Sequence, residues 1–234
     1  MNTSRKTAVI VGALFLVGYL GVFGGGALTG PLLDAPDYLT QIYPNKTQVI
    51  TGLLIELVNA ASVVGIAVAL FPIFKQRSES LALGYAGFRV IEAAISVAIS
   101  IIPLSLINLS QEYIQAGTPA PSYFLTLGDL VLAGRYWAGE FLTVFFILGA
   151  LIFYYLLYQT KLVPRFISVW GFIATASLAA GNLIGAPGPA EDFNPIQLLF
   201  LPIFLSELLV AIWLIVKGFN PSAIAAGSAR ADVS

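Results

Sequence analysis

Residues 81–109 read LALGYAGFRVIEAAISVAISIIPLSLINL, an apolar stretch that contains one arginine and one glutamate, Arg89 and Glu92. A helix needs about 20 predominantly apolar residues to cross the hydrocarbon of a bilayer, so this stretch is long enough to span a membrane. Each charged side chain costs about 2.5–3.5 kcal/mol at the bilayer centre on an insertion scale. We therefore predict a transmembrane helix whose charged face lies against other helices rather than lipid.

Five more stretches have a similar length and composition. The six predicted spans are residues 7–29, 49–74, 81–109, 130–158, 164–186 and 196–216. Lipid cannot satisfy the backbone of an open sheet edge, and the short connections favour antiparallel neighbours. We predict an all-α membrane protein with one six-helix transmembrane domain over residues 1–218. The Ala/Ser/Gly-rich tail, residues 219–234, is expected to be disordered.

The composition supports a lipid-solvated chain and excludes several function classes. Of 234 residues, 58% are hydrophobic and 10% charged, whereas a soluble domain typically carries about 25% charged residues. The net charge of −1 gives no basis for nucleic-acid binding. The chain has neither cysteine nor histidine, so we expect no metal site and no cofactor. Proton chemistry must then fall to carboxylates, Tyr, Lys or Arg.

Lysine and arginine are concentrated in alternate connections. Eight basic residues precede the first span, follow the sixth, or lie between spans two and three and between spans four and five: Arg5, Lys6, Lys75, Arg77, Lys161, Arg165, Lys217 and Arg230. The other three connections contain one, Lys46, together with several carboxylates. Because Lys and Arg are enriched on the cytoplasmic side, we predict that both termini are cytoplasmic.

The first span and its glycines allow alternatives. A basic start followed by an apolar run and small residues also suits a cleaved signal peptide, but the run is long and no clear Ala-x-Ala site follows it. We expect the segment to be retained as a span.

Gly18, Gly21 and Gly25 lie at helical spacing and predict close helix packing within the bundle, with oligomerisation as the alternative. Pro103 is expected to kink or end the third helix.

Ionisable side chains within the spans are the candidate functional residues, together with one asparagine. They are Glu56, Asn59, Arg89, Glu92, Arg135, Glu140 and Glu207. At 1.5 Å rise per residue, Glu92 and Glu207 both lie about 15 Å deep, near the midplane. Arg89 is a turn shallower on the same face as Glu92. We predict a central site from these three residues and an outer vestibule from Glu56, Asn59, Arg135 and Glu140.

The charges in the spans do not balance. Four glutamates face two arginines, and a carboxylate without a partner is unfavourable in a low dielectric. We expect one or two of the glutamates to be protonated at neutral pH or neutralised by a bound cation. Arg135 and Glu140 are five residues apart and do not share a helical face, so each is expected to pair with another helix.

Several segments carry a family resemblance. SRKTA at 4–8, LDAPDYL at 33–39, ALGYAGFRVIE at 82–92, YYLLYQ at 154–159, LVPR at 162–165 and SVWG at 168–171 stand in the sequence with Glu56 between them. In these segments the chain resembles the bacterial integral membrane family called domain of unknown function 4386. The resemblance implies a bacterial plasma membrane and brings no activity, substrate or site.

Three hypotheses of function follow. The first is binding or proton- or cation-linked transport of a small solute through the Glu/Arg site. The second is a membrane sensor or assembly subunit whose buried Arg–Glu pairs serve packing. The third, an intramembrane enzyme acting on lipid, is the least favoured because no nucleophile–base set or catalytic motif is present. Membrane lipids are expected partners in each case.

Overall fold

The computed structural model describes residues 3–117, 121–185 and 195–231. These residues form α-helices joined by short connections, and no strand occurs among them. The all-α class is therefore confirmed. The helices are α1 (Thr3–Leu33), α2 (Tyr38–Gln41), α3 (Lys46–Lys75), α4 (Glu79–Ile101), α5 (Leu104–Ala116), α6 (Tyr123–Thr160), α7 (Arg165–Ile184), α8 (Leu201–Val216) and α9 (Pro221–Ala231), with a 3-10 turn, Pro195–Phe200, before α8.

Six helical segments in the described residues are long and apolar enough to cross a membrane. They correspond one to one to the predicted spans, although most extend further. The largest differences are at the third segment, which ends at Ala116 rather than at residue 109, and at α6, which begins at Tyr123 rather than at residue 130. The fifth predicted span extended to residue 186, whereas α7 ends at Ile184 and residue 186 lies outside the described residues.

The third span is two helices rather than one. The α4 helix ends at Ile101, and α5 begins at Leu104 directly after Pro103. Proline has no backbone N–H to donate and its ring obstructs the preceding turn, as the sequence analysis expected at this position. The α5 helix packs on α2, where the Ser110 hydroxyl donates to the Leu39 carbonyl at 2.6 Å. Together α2 and α5 cover one end of the bundle.

The six spanning segments pack in a closed ring. The α1 helix lies between α3 and α8, α4 lies between α3 and α6, and α7 lies between α6 and α8. The order around the ring is therefore α1, α3, α4, α6, α7 and α8. Any side chain that points to the ring axis can contact side chains from helices that are not its neighbours.

The α1 and α3 helices approach each other closely. A Cβ atom at Gly25 would lie 2.6 Å from the Gly52 carbonyl oxygen, and one at Gly21 would lie 3.0 Å from the Ile55 carbonyl. Small residues allow backbones to meet at this distance. The predicted packing of the first span's glycines within the bundle is thus confirmed.

The expectation of a disordered tail was wrong for residues 221–231, which form α9. The helix starts with Pro221, and the Asn220 side chain accepts a hydrogen bond from the Ser222 N–H at 3.1 Å, as an N-cap does. Ala223 and Ile224 pack against the hydrophobic core. Alanine is the best helix former, so the composition that suggested a tail also favours a helix once its start is capped.

Candidate functional site

Arg89 and Glu92 lie on the inner face of α4. The Arg89 Nη1 donates to both carboxylate oxygens of Glu92, at 3.2 and 3.0 Å. The two residues are 2% and 4% exposed, so the pair is removed from both lipid and water. Residues three apart on a helix are neighbours on one face, which is why the sequence spacing alone predicts this contact.

Glu207 brings α8 to the same cluster. Its Oε1 lies 3.8 Å from Arg89 Nη2, and its Oε2 accepts a 2.6 Å hydrogen bond from the Tyr19 hydroxyl on α1. Since α4 and α8 are not neighbours in the ring, the contact with Arg89 crosses its axis. The structure thus places all three predicted central residues together and adds Tyr19, which the sequence analysis did not select.

The guanidinium of Arg89 keeps unused hydrogen-bonding capacity. Its Nε and Nη2, and the hydroxyl of Tyr85, are buried and have no hydrogen-bond partner in the described part of the chain. The guanidinium carbon lies 5.3 Å from the Tyr85 ring centre and 5.0 Å from that of Phe146. Ring faces stabilise a cation but do not replace hydrogen bonds, and an unpaired buried donor costs about 1–3 kcal/mol. The site can therefore accept a hydrogen-bonding guest.

A cavity of about 150 Å³ lies beside these groups. Its polar lining consists of Tyr19, Asn59, Ser62, Arg89, Glu92 and Glu207. At about 30 Å³ per water it has room for about five water molecules or one benzene-sized solute. We call this space the central cavity.

Aromatic side chains close the bundle on one side of the central cavity. Phe74, Tyr85, Phe153 and Tyr154 are each at most 1% exposed. Their rings contact one another at centre-to-centre distances of 5.1–6.1 Å. The Tyr154 hydroxyl on α6 lies 2.9 Å from the Ser206 hydroxyl on α8, across the ring of helices. This aromatic plug lies toward the end of the bundle that contains Lys75.

A second ion pair lies nearer the opposite end. The Arg135 Nη2 on α6 contacts both carboxylate oxygens of Glu56 on α3, at 2.9 and 3.0 Å. The hydroxyls of Thr29 and Ser100 also donate to Glu56, at 3.2 and 3.4 Å. The Arg135 Nη1 donates to the Ile99 carbonyl. This pair therefore connects four helices and has its hydrogen bonds well satisfied.

A larger cavity of about 650 Å³ opens beyond this pair, and we call it the outer cavity. Its polar lining consists of Thr29, Asp34, Tyr38, Asp129, Arg135 and Tyr136. The Tyr38 hydroxyl donates to Asp129 at 2.9 Å. Burial raises the pKa of Asp34 above its ordinary value, and the positive charge of Arg135 acts in the opposite direction. Burial and the hydrogen bond to Asp129 likewise raise the pKa of Tyr38.

Glu56 lies between the two cavities. It is one helical turn from Asn59, which lines the central cavity, and it contacts Thr29 and Arg135, which line the outer one. The inner face of α4 runs alongside, with Ser96 and Ser100 buried between Glu92 and the Glu56–Arg135 pair. Polar groups thus follow the ring axis from the aromatic plug to the outer cavity.

The amino-acid sequence of this helical bundle matches the model of one known protein family. The family model described as Domain of unknown function (DUF4386) covers residues 10–218. The chain belongs to the DUF4386 family. The match includes every candidate residue named above. No curated protein and no solved structure matches the chain.

Two side chains in this DUF4386 protein lie elsewhere than expected. Asn59 was assigned to the outer vestibule but lines the central cavity. Glu140 lines neither cavity; its Oε2 instead accepts a 2.6 Å hydrogen bond from Asn182 on α7. As predicted, Arg135 and Glu140 pair with different helices. The depth of a residue along its helix gives its level in the membrane. It does not tell whether the side chain points toward the ring axis or which cavity it lines.

Two carboxylates of the outer cavity were not among the predicted site residues. Asp129 lies one residue before the predicted start of span four, and Asp34 follows the end of α1. Both lie outside the predicted spans. The extension of α6 to Tyr123 carries Asp129 onto a spanning helix, and its alignment with Tyr38 is a tertiary feature that no local spacing encodes.

Proposed function

We propose that this DUF4386 protein binds a small solute in its central cavity and carries it across the membrane together with a proton or another cation. The observation that carries the proposal is the cluster of Arg89, Glu92 and Glu207 around the central cavity. Ionisable residues inside a membrane bundle are costly to insert and characteristically mark substrate and ion pathways.

The charge of the cluster supports coupling to a cation. Two carboxylates share one guanidinium, so one negative charge is left over when all three are ionised. A proton on Glu92 or Glu207, or a monovalent cation in the cavity, would neutralise it. The Nε and Nη2 of Arg89, which have no hydrogen-bond partner in the described residues, could then donate to an acceptor on the solute.

The arrangement of the two cavities supports a route. The Glu56–Arg135 pair separates the outer cavity from the central one, and the aromatic plug closes the other side of the central cavity. Alternating access moves gates around a fixed site near the bilayer midplane, and the ion pair and the aromatic plug lie where two such gates would be needed. Passage from the outer cavity would need the Glu56–Arg135 pair to open.

A second candidate is a sensor or assembly subunit in which the polar residues only fix packing. The Glu56–Arg135 pair favours this reading for the outer layer, because its hydrogen bonds are satisfied by groups on four helices. The central cluster favours it less, because Arg89 and Glu92 belong to one helix and Arg89 reaches Glu207 across the axis only at 3.8 Å. Two nitrogens of Arg89 also have no hydrogen-bond partner in the described residues.

We also propose that the protein resides in a bacterial plasma membrane with both termini in the cytoplasm. The asymmetry of Lys and Arg between alternate connections supports this orientation. The outer cavity would then open to the external side, and the aromatic plug would face the cytoplasm.

Uptake into proteoliposomes tests the function. Radiolabelled amino acids, monocarboxylates and primary amines would be offered under an imposed proton or sodium gradient. We expect gradient-driven uptake of one class, lost in Glu92→Gln and Glu207→Gln. Glu140→Gln is the matched control, because Glu140 is a carboxylate in a span but outside both cavities. Uptake unchanged in the first two variants, or no gradient-driven uptake across the panel, would contradict transport.

A further inference from the structure

A basic groove lies at the end of the bundle opposite the outer cavity. Residues 161–165, Trp213 and residues 217–221 line a space of about 510 Å³. Three of these residues are cations, Lys161, Arg165 and Lys217, and none is a carboxylate. In the described part of the chain no ion pair involves any of the three. The groove therefore concentrates positive charge without an internal counter-charge.

The groove is held in shape by the fold. The Asn220 N–H donates to the Leu162 carbonyl at 2.9 Å, which ties the segment after α8 to the turn between α6 and α7. Leu162 and Val163 are each 1% exposed and anchor that turn in the core. Arg165 stacks over the Tyr158 ring at 4.9 Å. A neighbouring cavity of about 320 Å³ shares Lys161 and adds Arg77.

Apolar surface continues from the groove along α7 and α8. Phe166 and Trp213 meet edge to face at 6.4 Å next to it and join the two helices. Phe166 and Ile173 on α7, and Val216 on α8, expose 59%, 55% and 62% of their surface. Tryptophan is enriched at the membrane–water interface. The groove thus lies at headgroup level, with hydrocarbon-facing side chains directly adjoining it.

We propose that this groove binds the phosphate of an anionic phospholipid, with the acyl chains against the exposed faces of α7 and α8. Phosphate oxygens accept charge-assisted hydrogen bonds from Lys and Arg, and basic pockets between transmembrane helices bind anionic headgroups. Free phosphate offers the same oxygens but cannot use the apolar surface. The site is separate from the central cavity and does not depend on the proposed transport.

Lipid titration of the purified full chain tests the proposal. Thermal unfolding would be followed in detergent with added phosphatidylglycerol, with phosphatidylcholine of the same acyl chains, and with inorganic phosphate alone. We expect phosphatidylglycerol to raise the unfolding temperature and the other two to have little effect. An equal effect of phosphatidylcholine would overturn the headgroup assignment. An equal effect of inorganic phosphate would overturn the lipid as occupant. This comparison needs no substitution, so it does not depend on a variant folding.

Two matched double variants locate the site. Arg165→Gln with Lys217→Gln should weaken phosphatidylglycerol binding by roughly thirtyfold, if each basic residue contributes as usual near an anionic surface. Lys6→Gln with Lys75→Gln removes two charges from the same end of the bundle but outside the groove, and binding should stay within about threefold of wild type. Equal weakening in both variants would show a diffuse charge effect and overturn the groove.

Discussion

Arg89 contacts Glu92 at 3.0 Å within one helix and Glu207 at 3.8 Å across the axis of the ring. The first contact is a hydrogen bond and the second is not, so the guanidinium is shared unequally between two carboxylates. Adding a proton to either glutamate would shift the guanidinium toward the other. An arrangement of this kind links the charge state of the site to the contact between α4 and α8.

Replacing Arg89, which two carboxylates share, should destabilise the fold more than replacing one of the carboxylates. Arg89→Gln leaves Glu92 and Glu207 without a cationic partner, and loss of one member of a buried pair costs about 3–5 kcal/mol. Glu92→Gln leaves Arg89 with Glu207 and should cost less. Thermal unfolding, followed by tryptophan fluorescence, would measure both. A Glu92→Gln variant as unstable as Arg89→Gln would show that the arginine is not shared.

Two adjacent glycines on α1 should respond differently to a methyl group. Gly25→Ala places Cβ 2.6 Å from the Gly52 carbonyl oxygen, whereas Gly26 has no atom within 4 Å of that position. Overpacking of this kind typically costs about 1–3 kcal/mol, so only Gly25→Ala should lower the unfolding temperature. If the two variants unfold alike, α1 and α3 do not meet as closely as the structure places them.

The outer ion pair should show measurable coupling. Glu56→Gln, Arg135→Gln and the double variant form a thermodynamic cycle for the contact at 2.9 Å. Polar interactions between membrane helices average about 0.6 kcal/mol and reach about 1.7 kcal/mol, and the several partners of Glu56 place this pair toward the upper value. Coupling is measured from unfolding free energies of the four proteins. Strictly additive effects of the two substitutions would argue against the contact.

The absence of cysteine from the sequence makes the orientation easy to test. Thr47→Cys and Ser80→Cys place single thiols at exposed positions near opposite ends of the bundle. A membrane-impermeant maleimide applied to intact cells should label Thr47→Cys and spare Ser80→Cys, and lysis should expose both. Labelling of Ser80→Cys alone in intact cells would reverse the proposed orientation.

The sequence predicted the contacts that depend on helix geometry. Arg89 and Glu92 are three residues apart, so their pairing follows from the helical repeat. Glu207 was assigned to the same level from the rise per residue, and the ring brings it to Arg89. Pro103 ends α4 because its chemistry acts locally.

What the sequence could not predict depends on which helices face one another. The partners Glu56 for Arg135 and Asn182 for Glu140 follow from the order of the ring, which no single helix encodes. The hydrogen bond of Tyr19 to Glu207 joins residues 188 positions apart. The α9 helix was misassigned because an Ala/Ser/Gly composition suits both a tail and a capped helix.

Small charged reagents can show whether the central cavity is accessible to a solute. Ser62→Cys puts a nearly isosteric thiol in the cavity. Val90 is 54% exposed on the outer face of α4, so Val90→Cys is the lipid-facing control. In membranes we expect Ser62→Cys to react faster with the cationic aminoethyl methanethiosulfonate than with the anionic sulfonatoethyl reagent, because the cavity has an excess of carboxylate. We expect Val90→Cys to react with neither reagent. Reaction of Ser62→Cys no faster than Val90→Cys would mean a dry interior and would contradict a solute-binding site.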